Sequence, residues 1–184
     1  IDNIFIWSGN SGVFPAIIKY IEDKENVARD TKHADIHSII IVEDTPRFYS
    51  SILPILYKII LYHTQQLISN SLNDSQKLLH LRKRPKILLA QNYEEAVSYF
   101  DEYKNNILGI ISDIRFPKGN KQDMRAGIKF SEYVHSKDEA IPIILQTTDM
   151  SIANDITHIT ELLLNKNSST LYYDLRDFII KNFG

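Results

Sequence analysis

Residues 39–44 read IIIVED, an all-apolar, β-branched run that stops on two carboxylates. A strand of that composition is buried on both faces, the habit of parallel sheets covered by helices. Three other runs share the pattern: GIISD at 109–113, PIILQTT at 142–148 and ELLLNK at 161–166. Each stops on a reactive polar side chain. Parallel strands ending this way gather Glu43, Asp44, Asp113, Thr147, Thr148 and Lys166 at one carboxyl edge, where open α/β sheets bind ligands.

Between the strands lie helical patterns. Thr45 and Pro46 supply an N-cap and a first helical residue, and Phe48, Ile52, Leu56, Ile59, Ile60, His63 and Leu67 keep a 3.6-residue period. Pro54 inside that span predicts a kink. A helical piece from Ser75 to Arg82 capped by Asp74, a strand over Lys86–Ala90 and a helix over Tyr93–Tyr103 follow. Leu108–Ser112 reads as a strand, Arg115–Arg125 as a long polar loop, Ala126–His135 as a helix and Ile141–Gln146 as a strand. Ile152–Ile156 makes at most a short helix; Leu162–Leu164 closes the sheet and Leu171–Asn182 the fold. From Ser38 onward the alternation predicts a doubly wound sheet of five parallel strands. Ahead of it, Asn3–Trp7 reads as a strand, Phe14–Ile21 as a helix and Glu22–Ser38 as a linker. Residues 1–37 are therefore expected to be an extra strand–helix segment, the tail of a preceding domain, and 38–184 the main domain.

With 21 basic and 23 acidic residues the chain has no bulk attraction to nucleic acid or anionic membrane. The basic run His80–Lys86 reads as a solvated or domain-docking surface. No cysteine is present, which excludes disulfides and thiolate metal sites. No apolar run reaches the ~20 residues of a membrane span. The six histidines show no metal-ligand spacing, and His63 reads as a satisfied core or interface residue. Three carboxylates forced together need a divalent cation, and an oxygen-only ligand set favours Mg2+.

The ordered set IIIVED, SDIRFP, PIILQTT and LLLNK resembles the receiver domain of two-component response regulators over about Ser38 to Phe183. The resemblance implies Asp113 as phosphoacceptor and Glu43 and Asp44 as the acidic pair for Mg2+, with Asp113 and the backbone carbonyl of Arg115 as further ligands. Thr147 matches the switch hydroxyl and Lys166 the phosphoryl-binding lysine. It implies a flavodoxin-like fold, a histidine kinase or other phosphodonor as partner, a C-terminal effector or enzyme domain and a cytoplasmic setting; a homodimer or interdomain contact is expected instead from the long first helix. VEDTPRFYSSILPILY, RKRPKILLAQNYEEA and the C-terminal NKNSSTLYYDLRDFIIKNFG are similar to receiver segments fused ahead of phosphoenolpyruvate-synthase-like or pyruvate-phosphate-dikinase-like proteins.

Several positions depart from the ordinary receiver. Asn167 stands where proline usually follows the lysine, and Leu163 where an aromatic switch residue lies. Thr147 to Lys166 is short by about one helical turn; the loop after Asp113 and the first helix are long. A pseudo-receiver that docks without switching is the alternative. A Mg2+ phosphatase is disfavoured, because Arg115 occupies the place of that family's second aspartate. The far end of the long helix is expected to expose Ile60, Leu67 and Ile68 as an interface.

Overall fold

The computed structural model describes residues 3–69, 84–152, 156, 160 and 162–183. Its centre is a five-stranded parallel sheet in the order β2-β1-β3-β6-β7. The strands are β1 (Ser38–Val42), β2 (Lys86–Ala90), β3 (Ile107–Asp113), β6 (Ile143–Thr147) and β7 (Leu162–Asn165). The βα alternation read from the sequence is thus the observed one. Side chains alternate across the pleat, so Ile39, Ile41, Ile87, Leu89, Ile111 and Ile144 enter one core. Ile40, Val42, Leu88, Ala90, Ile110 and Ile143 enter the other. Helices α2 (Pro46–Ser69) and α5 (Leu171–Phe183) cover the first face; α3 (Tyr93–Tyr103) and α4 (Ala126–His135) cover the second.

Several expectations are corrected, three of them in the backbone. Residues 3–7 form no strand. Instead the Ile4 amide donates to Tyr49 Oη (3.2 Å), that hydroxyl donates back to the Ile4 carbonyl (2.5 Å), and the Ile6 amide donates to Ser50 Oγ (2.9 Å). The backbone groups that would pair in a ladder are taken by α2 side chains. Second, Glu22–Ser38 is no linker: α1 runs unbroken from Val13 to Ala34. Third, the loop after Asp113 contains a hairpin of β4 (Phe116–Lys118) and β5 (Lys121–Asp123), turned through Gly119 and Asn120. Both turn residues have positive φ, 58° and 62°, as a two-residue type I′ connection requires.

Helix α2 continues through Pro54 to Ser69. Its Ile60 is buried in the core rather than exposed, which removes it from the expected interface; the side chains of Leu67 and Ile68 lie outside the described residues. So does the helix expected over Ser75–Arg82. Met150–Ile152 forms a 3-10 turn, and residues 153–155 are likewise outside.

Helix α1 packs on α2 and β2. Its inward stripe is Val13, Ala16, Tyr20, Asp23 and Val27, so a carboxylate sits at the centre of an apolar face. Asp23 is fully buried and accepts four hydrogen bonds. Arg84 grips it with both terminal nitrogens (2.6 and 3.0 Å), and Tyr57 Oη (2.9 Å) and the Ile87 amide (3.0 Å) complete the set. Lys86 lies 3.7 Å from Asp23 and 2.9 Å from Asp30. Arg84 and Lys86 are therefore buried partners of α1, docked rather than solvated; residues 80–83 of the basic run lie outside the described residues.

Candidate functional site

All the polar strand ends except that of β2 meet at one place. The Glu43 amide donates to the Ala90 carbonyl (3.0 Å), holding β1 against β2 as the chain leaves the sheet. Its carboxylate is buried and accepts from the Thr45 amide (3.2 Å). Asp44, beside it, accepts from Thr45 Oγ1 (3.4 Å). Asp113 ends β3 and accepts from the Ile114 amide through Oδ1 (2.7 Å). Carboxylate oxygens of Glu43, Asp44 and Asp113 all lie within 4.8 Å of one another.

Lys166 arrives from the end of β7. Its ammonium contacts Glu43 Oε2 at 2.5 Å and Asp113 Oδ2 at 2.7 Å, and its side chain is only 5 % exposed. The Phe48 ring lies beneath it, 4.5 Å from Nζ to the centroid. Three carboxylates and one ammonium give −3 + 1 = −2, a charge that a single divalent cation balances. Burial pushes the Glu43 carboxyl up to about 7; Lys166 opposes that rise and Asp113 adds to it. Burial first, then the Asp113 charge, also raises Asp44.

Thr147 lies at the end of β6 and is buried. Its hydroxyl accepts from the Asp149 amide (3.0 Å) and donates to the Asp149 carbonyl (3.2 Å). Thr148 is exposed beside it. Asp149 in turn pairs with Arg115 (2.8 Å) across the space between the β3 and β6 ends. Hydrogen bonds from Ser151, then from Arg115, hold the Asp149 carboxyl below its ordinary range. The sequence-predicted set Glu43, Asp44, Asp113, Thr147 and Lys166 is brought to one sheet edge, with the Arg115 guanidinium at its rim.

A response regulator receiver domain protein from Clostridium thermocellum has a similar structure, with TM-score 0.55 and 15% identity, over 80% of this chain and 94% of that one. This chain has the receiver fold. The phosphorylated cyanobacterial phytochrome response regulator RcpA is similar at TM-score 0.49 and 17% identity, over 81% of this chain and 95% of that one. No family model matches the sequence, and no curated protein does.

On this receiver frame, three residues that sequence reading overlooked build the site. Gly127 lets α4 approach the end of β3: a Cβ there would stand 2.1 Å from the Asp113 carbonyl oxygen. Phe48 supports Lys166, and its spacing from Asp44 within the first turn of α2 is the only signal. Asn165 rebuilds the turn that lacks proline: its Oδ1 accepts from the Asn167 amide (2.9 Å) and its carbonyl from the Ser168 amide (3.0 Å). The Lys166 amide donates to the Thr147 carbonyl (2.9 Å), which fixes the lysine before the turn begins. Asn165→Ala removes one of these bonds, so it is expected to cost about 1 kcal/mol of stability, read as a lowered urea midpoint. An unchanged midpoint would show that the turn stands without it.

Proposed function

We propose that this chain is a phosphorylatable receiver: Asp113 accepts a phosphoryl group in a Mg2+-dependent reaction, and the modified domain regulates an attached or partner enzyme. The observation that carries this reading is the buried cluster of Glu43, Asp44 and Asp113 with Lys166 against two of them. Its donor set is all oxygen and its charge is −2, which fits Mg2+ held by Glu43, Asp44, Asp113 and the Arg115 carbonyl. When bound, the ion would neutralise phosphoryl oxygens and offset repulsion between them and the carboxylates.

The chain's own residues supply the rest. An Asp113 oxygen attacks phosphorus in line, forming a new P–O bond while the donor's bond to phosphorus breaks, P–N in a phosphohistidine and P–O in an acyl phosphate. With acetyl phosphate, acetate leaves with the electron pair. The Ile114 amide holds Oδ1 and so fixes the carboxylate plane. Lys166, already against Asp113, meets the incoming phosphoryl oxygens as a point charge. Thr147, whose hydroxyl bonds the Asp149 backbone, turns that hydroxyl toward the phosphoryl group. The sequence resemblance supplies the other roles: a histidine kinase or small phosphodonor, and an effector of the phosphoenolpyruvate-synthase or dikinase type. A docking module that never switches is the second reading; Leu163, packed against the core where an aromatic is usual, favours it.

A Mg2+ titration by calorimetry tests the metal site. One ion per chain is expected, weakened by Asp44→Asn; no binding, or equal binding by the variant, contradicts the assignment. Mg2+ requires an ionised Glu43, whose carboxyl titrates at about 7 in the metal-free protein. Affinity should therefore fall about tenfold per pH unit below 7, one proton being displaced per ion. Stability of the metal-free protein runs the other way. The raised pKa favours the fold below the ordinary 4.5, and that contribution is lost as pH rises through 7.

The Arg115–Asp149 pair spans the mouth and impedes an in-line water, so phosphorylated Arg115→Ala should lose its phosphoryl group faster than wild type. The pair is exposed and screened by solvent, so the change is one of access rather than of folding. Equal decay rates in wild type, Arg115→Ala and Asp149→Ala would remove the gate.

A further inference from the structure

A second concavity, away from the acidic site, lies between α1, α2 and α5 and has a volume of about 880 Å³. Pro15 and Ala16 of α1 and Pro54, Ile55 and Ile59 of α2 give it apolar walls, with Tyr172 and Ile180 of α5 opposite. Leu61, Tyr62 and Ile180 are 37%, 58% and 44% exposed. Along α2 the lining runs from Pro54 to Gln65, about three helical turns at ~1.5 Å per residue.

Its charge is one-sided. Lys19 stands on the α1 wall, Lys58 on α2 and Arg176 on α5, and among the described residues none of the lining is Asp or Glu, in a chain whose net charge is −2. Lys58 rests over the Tyr172 ring (5.8 Å). Among the described residues the ion pairs of Lys19 and Arg176 are exposed local ones, with Glu22 and Asp177, which exchange readily. His63 Nε2 is buried with no hydrogen-bond partner among the described residues, and buried polar atoms ordinarily have one. The α1 wall is held by the buried Asp23 cluster, so the groove is preformed.

We infer that this groove binds an amphipathic helix of a partner protein whose apolar stripe is flanked by carboxylates. Apolar walls made by three helices accept a fourth by helix-in-groove packing. Cations on all three walls select acidic flanks on either side of its stripe. This surface is separate from the phosphoacceptor site and does not depend on its chemistry.

The test uses the full chain and two labelled helical peptides. Both carry leucines at i, i+3, i+4 and i+7; one has glutamate flanks, the other lysine flanks. Fluorescence anisotropy is expected to show saturable binding of the glutamate peptide, weakening with salt, and none of the lysine peptide. Lys58→Glu with Arg176→Glu should weaken the glutamate peptide by about tenfold or more and let the lysine peptide bind, with an unchanged circular dichroism spectrum. Failure of the glutamate peptide to saturate, equal binding by wild type and double variant, or equal binding of both peptides would overturn the inference. So would a dimer in sedimentation that the double variant dissolves, since a second copy would then be the occupant.

Discussion

Asp113→Asn should leave a folded protein that acetyl phosphate no longer labels. The amide is isosteric, and its oxygen keeps the bond that Asp113 Oδ1 makes to the Ile114 amide at 2.7 Å. An amide has no carboxylate oxygen with which to open the donor's P–O bond, so chemistry at this position stops. The substitution also takes the cluster from −2 to −1, which weakens a divalent ion's hold, while Lys166 keeps its contact with Glu43 at 2.5 Å. Intact mass after incubation with acetyl phosphate and Mg2+ reads the loss, and the urea midpoint checks the fold. Labelling of Asp113→Asn at the wild-type level would assign the reaction to another residue.

The largest effect on stability should come from Asp23→Ala, about 3–5 kcal/mol, the usual cost of breaking a buried ion pair by removing one partner. The variant leaves the buried guanidinium of Arg84 without its 2.6 Å partner. It also deprives Tyr57 Oη and the Ile87 amide of their acceptor. Asp23→Asn keeps an acceptor but not the charge, and should fall between. Chemical denaturation followed by circular dichroism measures both. A loss under about 1 kcal/mol for Asp23→Ala would mean that water reaches these groups and that α1 is only loosely attached.

The core strands were legible because strands buried on both faces are nearly pure apolar runs, and the polar residue ending each run marked the site. Helix α1 was not legible. Its stripe of Val13, Ala16, Tyr20, Asp23 and Val27 is broken for any apolar count by Asp23, whose partner Arg84 is 61 residues away. Local sequence carries no trace of such a pairing. The β4–β5 hairpin was hidden for another reason. Its ladder has three residue pairs, mostly charged or amide-bearing, and only the Gly119-Asn120 turn advertises it. NIFIW at 3–7 misled in the opposite sense, as an apolar run whose backbone bonds belong to Tyr49 and Ser50. Lys166 could be placed at the edge from sequence, but its double contact with Glu43 and Asp113 depends on Phe48 and on the Asn165 turn.

Phosphorylation of the wild-type chain, with the modified peptide mapped, bears most directly on the central claim. Incubation with acetyl phosphate and Mg2+ should add one phosphoryl group to the peptide holding Asp113, and chelation of Mg2+ should prevent it. A phosphoryl group on any other peptide, equal labelling without Mg2+, or no labelling at all would contradict the assignment of Asp113, Glu43, Asp44 and Lys166 as a receiver's phosphorylation site.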